Sequence, residues 1–160
     1  MSLRGVKRRI NLVKKIASSP LAPRNDTSKA LYRILDVNFN RAKEGLRVCE
    51  DLCRYGWDQK TFTRAFKNIR HDLTEIMAGL NIQKALEARH IEGDVGRSTT
   101  VSESKRDNLT TVLWANSQRV KESLRVLEEV SKLMDVKVSI QLKALRYKVY
   151  ALEQKVIGSC

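Results

Sequence analysis

One fourteen-residue pattern occurs twice in this chain, and it constrains the fold more than any other feature. Asn38-Phe-Asn-Arg-Ala-Lys-Glu-Gly-Leu-Arg-Val-Cys-Glu-Asp51 and Asn116-Ser-Gln-Arg-Val-Lys-Glu-Ser-Leu-Arg-Val-Leu-Glu-Glu129 share eight identities at an offset of 78 residues. Neither copy contains proline, and both are rich in Leu, Lys, Arg and Glu, so each reads as the end of a long helix. A second helical pattern follows each copy after a short break, and a small shift places Arg70 over Arg146. Short connections force neighbouring helices antiparallel. The expected fold is all-α: a helical bundle with a four-helix core made of two related antiparallel hairpins, about 31–78 and 109–157, plus short extra helices.

Apolar spacing supplies the boundaries. Leu31, Leu35, Ala42, Leu46, Cys49 and Cys53 follow one side of a helix capped by Thr27 or Ser28, running to about Tyr55 and stopped by Gly56. Asp58 then caps a helix to about Ala78 with Phe62, Phe66, Ile69, Leu73 and Ile76 inward. Asn81 starts a short helix, residues 90–104 read as the longest internal loop, and a long helix runs to about Leu133. The last spans about Val138 to Ile157 and ends at Gly158.

With 160 residues and 42% apolar content, one domain with a real core is expected over residues 28–158. Residues 1–27 form a basic arm set off by Pro20 and Pro23. Within 1–29, eight Lys and Arg face only Asp26, giving +7 of the net +13. No run of about eighteen apolar residues is present to span a membrane, and no secretory signal core follows the N-terminal charges, so a cytoplasmic protein without membrane contact is expected. Cys49, Cys53 and Cys160 read as reduced thiols. The absence of Gly-x-x-x-x-Gly-Lys-Ser/Thr excludes a standard Walker nucleotide site.

At about 100° per residue, Asn38 projects beside Ala42, Cys49 and Leu35, while Arg41 and Glu44 step around the edge of the same arc. A buried amide needs hydrogen-bond partners, and Arg and Glu from neighbouring helices are the expected ones. Two readings of the resulting polar seam stay open. The charges fix bundle register through ion pairs, or the arginines grip phosphate while the carboxylates hold magnesium.

The stretches Leu31–Asp51, Arg70-His-Asp-Leu73, Glu92-Gly-Asp-Val-Gly96 and Ala115–Glu129 resemble, in that order, a family of hydroxymethylpyrimidine phosphate kinases unrelated to the ribokinase fold, found alone or as the N-terminal segment of bifunctional thiamine-phosphate synthases. The resemblance spans roughly residues 29–157, and the chain is similar to the stand-alone form, being too short for the synthase's barrel. It implies ATP-dependent conversion of 4-amino-5-hydroxymethyl-2-methylpyrimidine phosphate to its diphosphate, with Mg2+, in thiamine biosynthesis.

What the resemblance implies for residues is phosphate handling by Arg41, Arg47, Arg119 and Arg125, with Arg70. Glu44, Asp51, Glu122 and Glu129 are the candidate magnesium carboxylates, at least half of them orienting arginines instead, with Asp94 as an alternative. Asn38, Asn116, His71 and the loop Gly93-Asp94-Val-Gly96 are candidates for substrate or nucleotide contact, and Trp57, Tyr32 and Trp114 offer flat surfaces for the pyrimidine. Differences between the copies, Asp36 against Trp114 and Asn40 against Gln118, would mark their division of roles. A homodimer and a functional link to thiamine-phosphate synthase stay open. The competing functions are a helical nucleic-acid-binding module, disfavoured, and a non-catalytic regulatory bundle.

Overall fold

The computed structural model describes residues 24–92 and 106–159; most of the basic arm and the Gly93–Gly96 loop lie outside the described residues. Every regular element among the described residues is helical. In chain order these are α1 (Arg24–Asp51), a π-helical turn (Leu52–Gly56), α2 (Lys60–Ala78), α3 (Ile82–Glu87), α4 (Leu109–Ser131) and α5 (Val136–Ile157). α1 with α2 and α4 with α5 form the two expected hairpins. They meet through α1 against α4 and α2 against α5, while α3 packs on α1.

The two connections differ physically. After Asp51 the first hairpin widens into the π turn, with Trp57 N donating to Leu52 O at 3.1 Å and Gln59 N to Cys53 O at 2.7 Å. Asp58 does not cap α2 as expected: it takes a left-handed φ of 52°, a conformation short polar residues tolerate, and Gln59 occupies the cap position without a side-chain bond. In the second hairpin Asp135 Oδ1 accepts from Lys137 N at 2.7 Å, so α5 starts two residues earlier than its apolar spacing suggests. α1 likewise begins at Arg24, upstream of Thr27 and Ser28. Asn81 does start the short helix, accepting from Lys84 N at 3.3 Å.

α4 is fixed at its start by a capping box, Asn108 Oδ1 accepting from Thr111 N at 2.8 Å and Thr111 Oγ1 from Asn108 N at 3.1 Å. The core joins stripes read from spacing, Leu35, Ala42, Leu46 and Cys49 of α1, Cys53 of the π turn and Phe66, Ile69 and Leu73 of α2, to Leu113, Val120, Leu124 and Leu127 of α4 and Leu142, Leu145 and Val149 of α5. Cys49 and Cys53 are buried thiols outside any disulfide, as expected of small core residues. Burial pushes the Cys49 thiol up to about 12, against a weaker downward pull from Ser117.

α1 and α4 run antiparallel. Gly45 lies against Asn116 and Val120, whereas Cys49, one turn later, lies against Leu113 and Ser117, one turn earlier. The helices touch backbone to side chain because position 45 lacks a Cβ. A methyl there would sit 2.7 Å from Val120 Cγ2 and 3.1 Å from the Asn116 carbonyl oxygen. Gly45→Ala gains about 1 kcal/mol of helix propensity. Forcing the helices apart costs about 1–3 kcal/mol, so a net loss near 1 kcal/mol is expected in urea titrations. A stabilised variant would show that the crossing has room to spare.

Candidate functional site

Because the copies cross antiparallel, the same motif positions from each meet at a pseudo-two-fold centre. Arg41 and Glu44 of α1 face Arg119 and Glu122 of α4 across a cleft of about 620 Å³, flanked by Asn38, Ser123 and Val126. All four charged side chains are exposed, and none makes an ion pair or hydrogen bond with a described residue. Two guanidiniums and two carboxylates thus share one cleft without neutralising each other in direct pairs.

The remaining charges of the motif are committed elsewhere. Glu50, buried at 2% exposure, accepts from Arg70 Nε at 3.0 Å and from Arg47 Nη1 at 3.3 Å. Glu128, at 3%, accepts from Arg146 Nε at 3.0 Å and Nη2 at 2.8 Å, and from Arg125 Nη1 at 2.8 Å. The two triads are copies of one another, and each clamps the second helix of its hairpin to the first. The shift that places Arg70 over Arg146 therefore aligns partners of equivalent glutamates. Burial disfavours the Arg146 charge, but its interactions with Glu128 and Tyr150 together outweigh this and raise its pKa.

Asp51 and Glu129 stand at the next turn. Asp51 lies 3.9 Å from Arg47 Nη1, and Glu129 lies 2.7 Å from Arg125 Nη2 and 2.8 Å from Lys132 Nζ. The Lys132 bond, more than the Arg125 charge, draws the Glu129 carboxyl below its ordinary value. No group of three or more His, Cys, Asp or Glu able to hold a metal occurs among the described residues. Of the four candidate metal carboxylates, only Glu44 and Glu122 share a cleft.

The asparagines satisfy themselves differently from the expectation. Asn38 Nδ2 donates to Ile34 O at 2.9 Å and Asn116 Nδ2 to Val112 O at 2.8 Å, so each amide bonds the carbonyl one turn back on its own helix. No arginine or glutamate partner is recruited, because the carbonyl one turn back already takes each amide's hydrogen bond. His71 is exposed on α2, which contributes no residue to the seam. Tyr32 and Trp57 pack against the core, whereas Trp114 is 55% exposed.

Two further clefts flank the centre, one on each helix, related by the same offset. The α1 cleft, also about 620 Å³, is built from Arg33, Asp36, Asn40, Arg41 and Glu44 and walled by Arg89, His90 and Ile91. Arg89 donates Nε to Asp36 Oδ2 at 2.7 Å and Nη2 to Oδ1 at 2.6 Å, a two-bond fork that raises the Arg89 pKa. Asn40 Nδ2 donates to Asp36 O at 3.0 Å and Oδ1 at 3.2 Å. The α4 cleft, about 540 Å³, is lined by Trp114, Ala115, Gln118, Arg119 and Glu122. Arg89 lies outside both repeats and carries no signal in the sequence. Asp36 does, as a position where the copies differ.

The conserved-looking lysines also diverge. Lys121 forms a bridge to Glu153 at 2.6 Å in which both side chains are nearly buried, while Lys43 lies over the Phe39 ring at 5.1 Å. Neither enters the seam cleft.

Residues 33–155 match the ThiD2 family, a span that covers the paired motif and most of both hairpins. The chain belongs to the ThiD2 family. Its relatives include proteins named thiamine-phosphate synthase from Nostoc punctiforme, 38% identical over 140 residues covering 87% of this chain, and Thermosynechococcus vestitus, 42% identical over 135 residues covering 84%. A third, from Synechocystis, is 40% identical over 131 residues covering 81% of the chain. The match spans 39%, 37% and 37% of those relatives' own lengths, so this ThiD2 chain corresponds to less than two fifths of each. No solved structure matches it significantly. No helix among the described residues is long and apolar enough to cross a membrane.

Proposed function

We propose that this ThiD2 protein is a phosphotransferase of thiamine biosynthesis, converting 4-amino-5-hydroxymethyl-2-methylpyrimidine phosphate to its diphosphate with ATP. The observation that carries the reading is a contrast among the charges: Arg47, Arg70 and Arg125 are held by glutamates, while Arg41, Arg119, Glu44 and Glu122 pair with no described residue around one cleft. Unpaired charges of both signs brought together by two helices are poor packing elements and good ligands.

The chemistry asks for little else. The accepting phosphate oxygen is already ionised near neutral pH, so no strong general base is needed, and the obstacle is repulsion between two anions. Arg41 and Arg119, one from each repeat, are placed to grip the acceptor phosphate and the ATP phosphates from opposite sides. Each offers a planar fork suited to phosphate oxygens. The new bond joins an acceptor oxygen to the γ-phosphorus, the bond from that phosphorus to the β-bridging oxygen breaks, and ADP departs with the electron pair.

Glu44 and Glu122 fit magnesium as it is usually held, by one or two carboxylates with phosphate oxygens and water completing its shell. Bound there, the ion would neutralise charge growing on the transferred group. The protein's own seam sums to zero, so a divalent cation on its carboxylates leaves it net positive, matching an anionic pair of substrates. Glu50 and Glu128, with their arginines, keep the helices in register.

The test is incubation of the folded chain with ATP, magnesium and the pyrimidine monophosphate, followed by phosphorus NMR. Diphosphate and ADP are expected in equal amounts. The unphosphorylated alcohol is expected to be a poor acceptor because it gives the arginines nothing to hold. Failure to form diphosphate, or efficient use of the alcohol, overturns the assignment.

A further inference from the structure

The pseudo-two-fold gives the seam two flanking clefts of similar size, yet a nucleotide and its acceptor are unlike. We propose that the α4 cleft floored by Trp114 takes the base of the nucleotide, and the α1 cleft built on Asp36, Asn40 and Arg89 takes the acceptor ring; this division rests on the phosphotransferase reading.

The first ground is the chemistry of the two surfaces. Trp114 is more than half exposed at the edge of its cleft, and among the described residues no ring or cation packs on it. A free indole face stacks on any flat base and reads little of its edge, which suits a nucleotide held chiefly by its phosphates. The α1 cleft has no such face. It has a second wall at Arg89–Ile91 and a fixed polar chain instead. Arg89 and Asn40 both bond Asp36, and because the Asn40 amide nitrogen is spent there, its Oδ1 is the group left to accept a hydrogen bond. An oriented acceptor in a two-walled cleft suits a small ring carrying an exocyclic amine, which must be chosen by its edge.

Reach is the second ground. Trp114 precedes Arg119 by five residues and Glu122 by eight on one helix, so a stacked base lies about 7–12 Å along the axis from the charges that would hold its phosphates. A ribose and a polyphosphate need that length. A hydroxymethyl phosphate does not, and in the α1 cleft the orienting Asn40 is the immediate neighbour of Arg41. Each ligand then delivers its phosphate to the shared centre from its own side.

Calorimetric titration of the full chain with Mg-ADP and, separately, with the pyrimidine monophosphate tests this without relying on turnover. Trp114→Ala is expected to weaken Mg-ADP binding at least tenfold and leave the monophosphate within twofold, while Trp114→Phe, which keeps a ring, stays close to the parent. Asn40→Ala is expected to do the reverse. The exposed position of Trp114 makes loss of folding an unlikely confounder, and circular dichroism of each variant checks it. If Trp114→Ala weakens the monophosphate instead, or leaves Mg-ADP unchanged, the division is wrong. That outcome is separable from failure of the phosphotransferase itself, which shows as absent diphosphate in the parent chain.

Discussion

Arg41→Ala and Arg119→Ala are each expected to lower the rate of diphosphate formation by about 10²–10³-fold, the usual loss when one preorganised donor to a charged transition state is removed. Neither should move the urea midpoint appreciably, because both side chains are exposed and pair with no described residue, and such surface changes stay within about 0.5 kcal/mol. Arg47→Ala supplies the contrast. Its guanidinium is half-exposed and shares Glu50 with Arg70, so its removal leaves that glutamate still paired. A loss of less than about tenfold is expected there, with a modest fall in stability of about 0.5–1 kcal/mol. Steady-state rates and denaturation midpoints for the three variants separate the two kinds of arginine. Equal loss of activity from Arg47→Ala and Arg41→Ala would erase the distinction on which the seam rests.

That distinction was only half legible in the sequence. The duplicated motif and its apolar stripes are enough to derive two antiparallel hairpins, and the buried set at Leu35, Leu46, Phe66 and Leu73 follows from helical spacing alone. Each of Arg41 and Arg47 has a glutamate three residues on, Glu44 and Glu50, and spacing cannot say which of them finds its carboxylate. It is Arg47, whose Glu50 also holds Arg70 of the neighbouring helix, a shared partnership that no local spacing shows. Local chemistry at single positions was hidden for similar reasons. Asp58 reads as a cap until the π turn forces it into a left-handed conformation, and Asn38 reads as a residue seeking distant partners although the carbonyl of Ile34, one turn back, is the partner it takes. Arg89 could not be anticipated at all, since it stands outside the repeats and reaches Asp36 across 53 residues.

Glu128→Ala is expected to destabilise the bundle about as much as emptying a core position such as Leu73 or Phe66. Among the described residues Glu128 is the one carboxylate that forms an ion pair with Arg146, whose side chain is only 10% exposed and is tethered by Tyr150 Oη at 2.9 Å and by the Tyr147 and Tyr150 rings at 5.2 and 5.5 Å. Those contacts hold the guanidinium where it is when its counter-charge is gone. Breaking a buried pair from one side costs about 3–5 kcal/mol, because the remaining ion is left desolvated and uncompensated. A domain of this size has about 5–15 kcal/mol in total, so a third or more of the stability is at stake. Glu50→Ala removes the equivalent group in the first repeat and is expected to cost less, since Arg70 is 16% exposed and can turn toward water. The cause is separable from simple loss of packing. Replacing both partners, Glu128→Leu with Arg146→Met, removes the stranded charge and is expected to recover most of the loss in urea denaturation. If the double replacement is no more stable than Glu128→Ala, the penalty lies in the shape of the site rather than in its charge, and the clamp between α4 and α5 is not electrostatic.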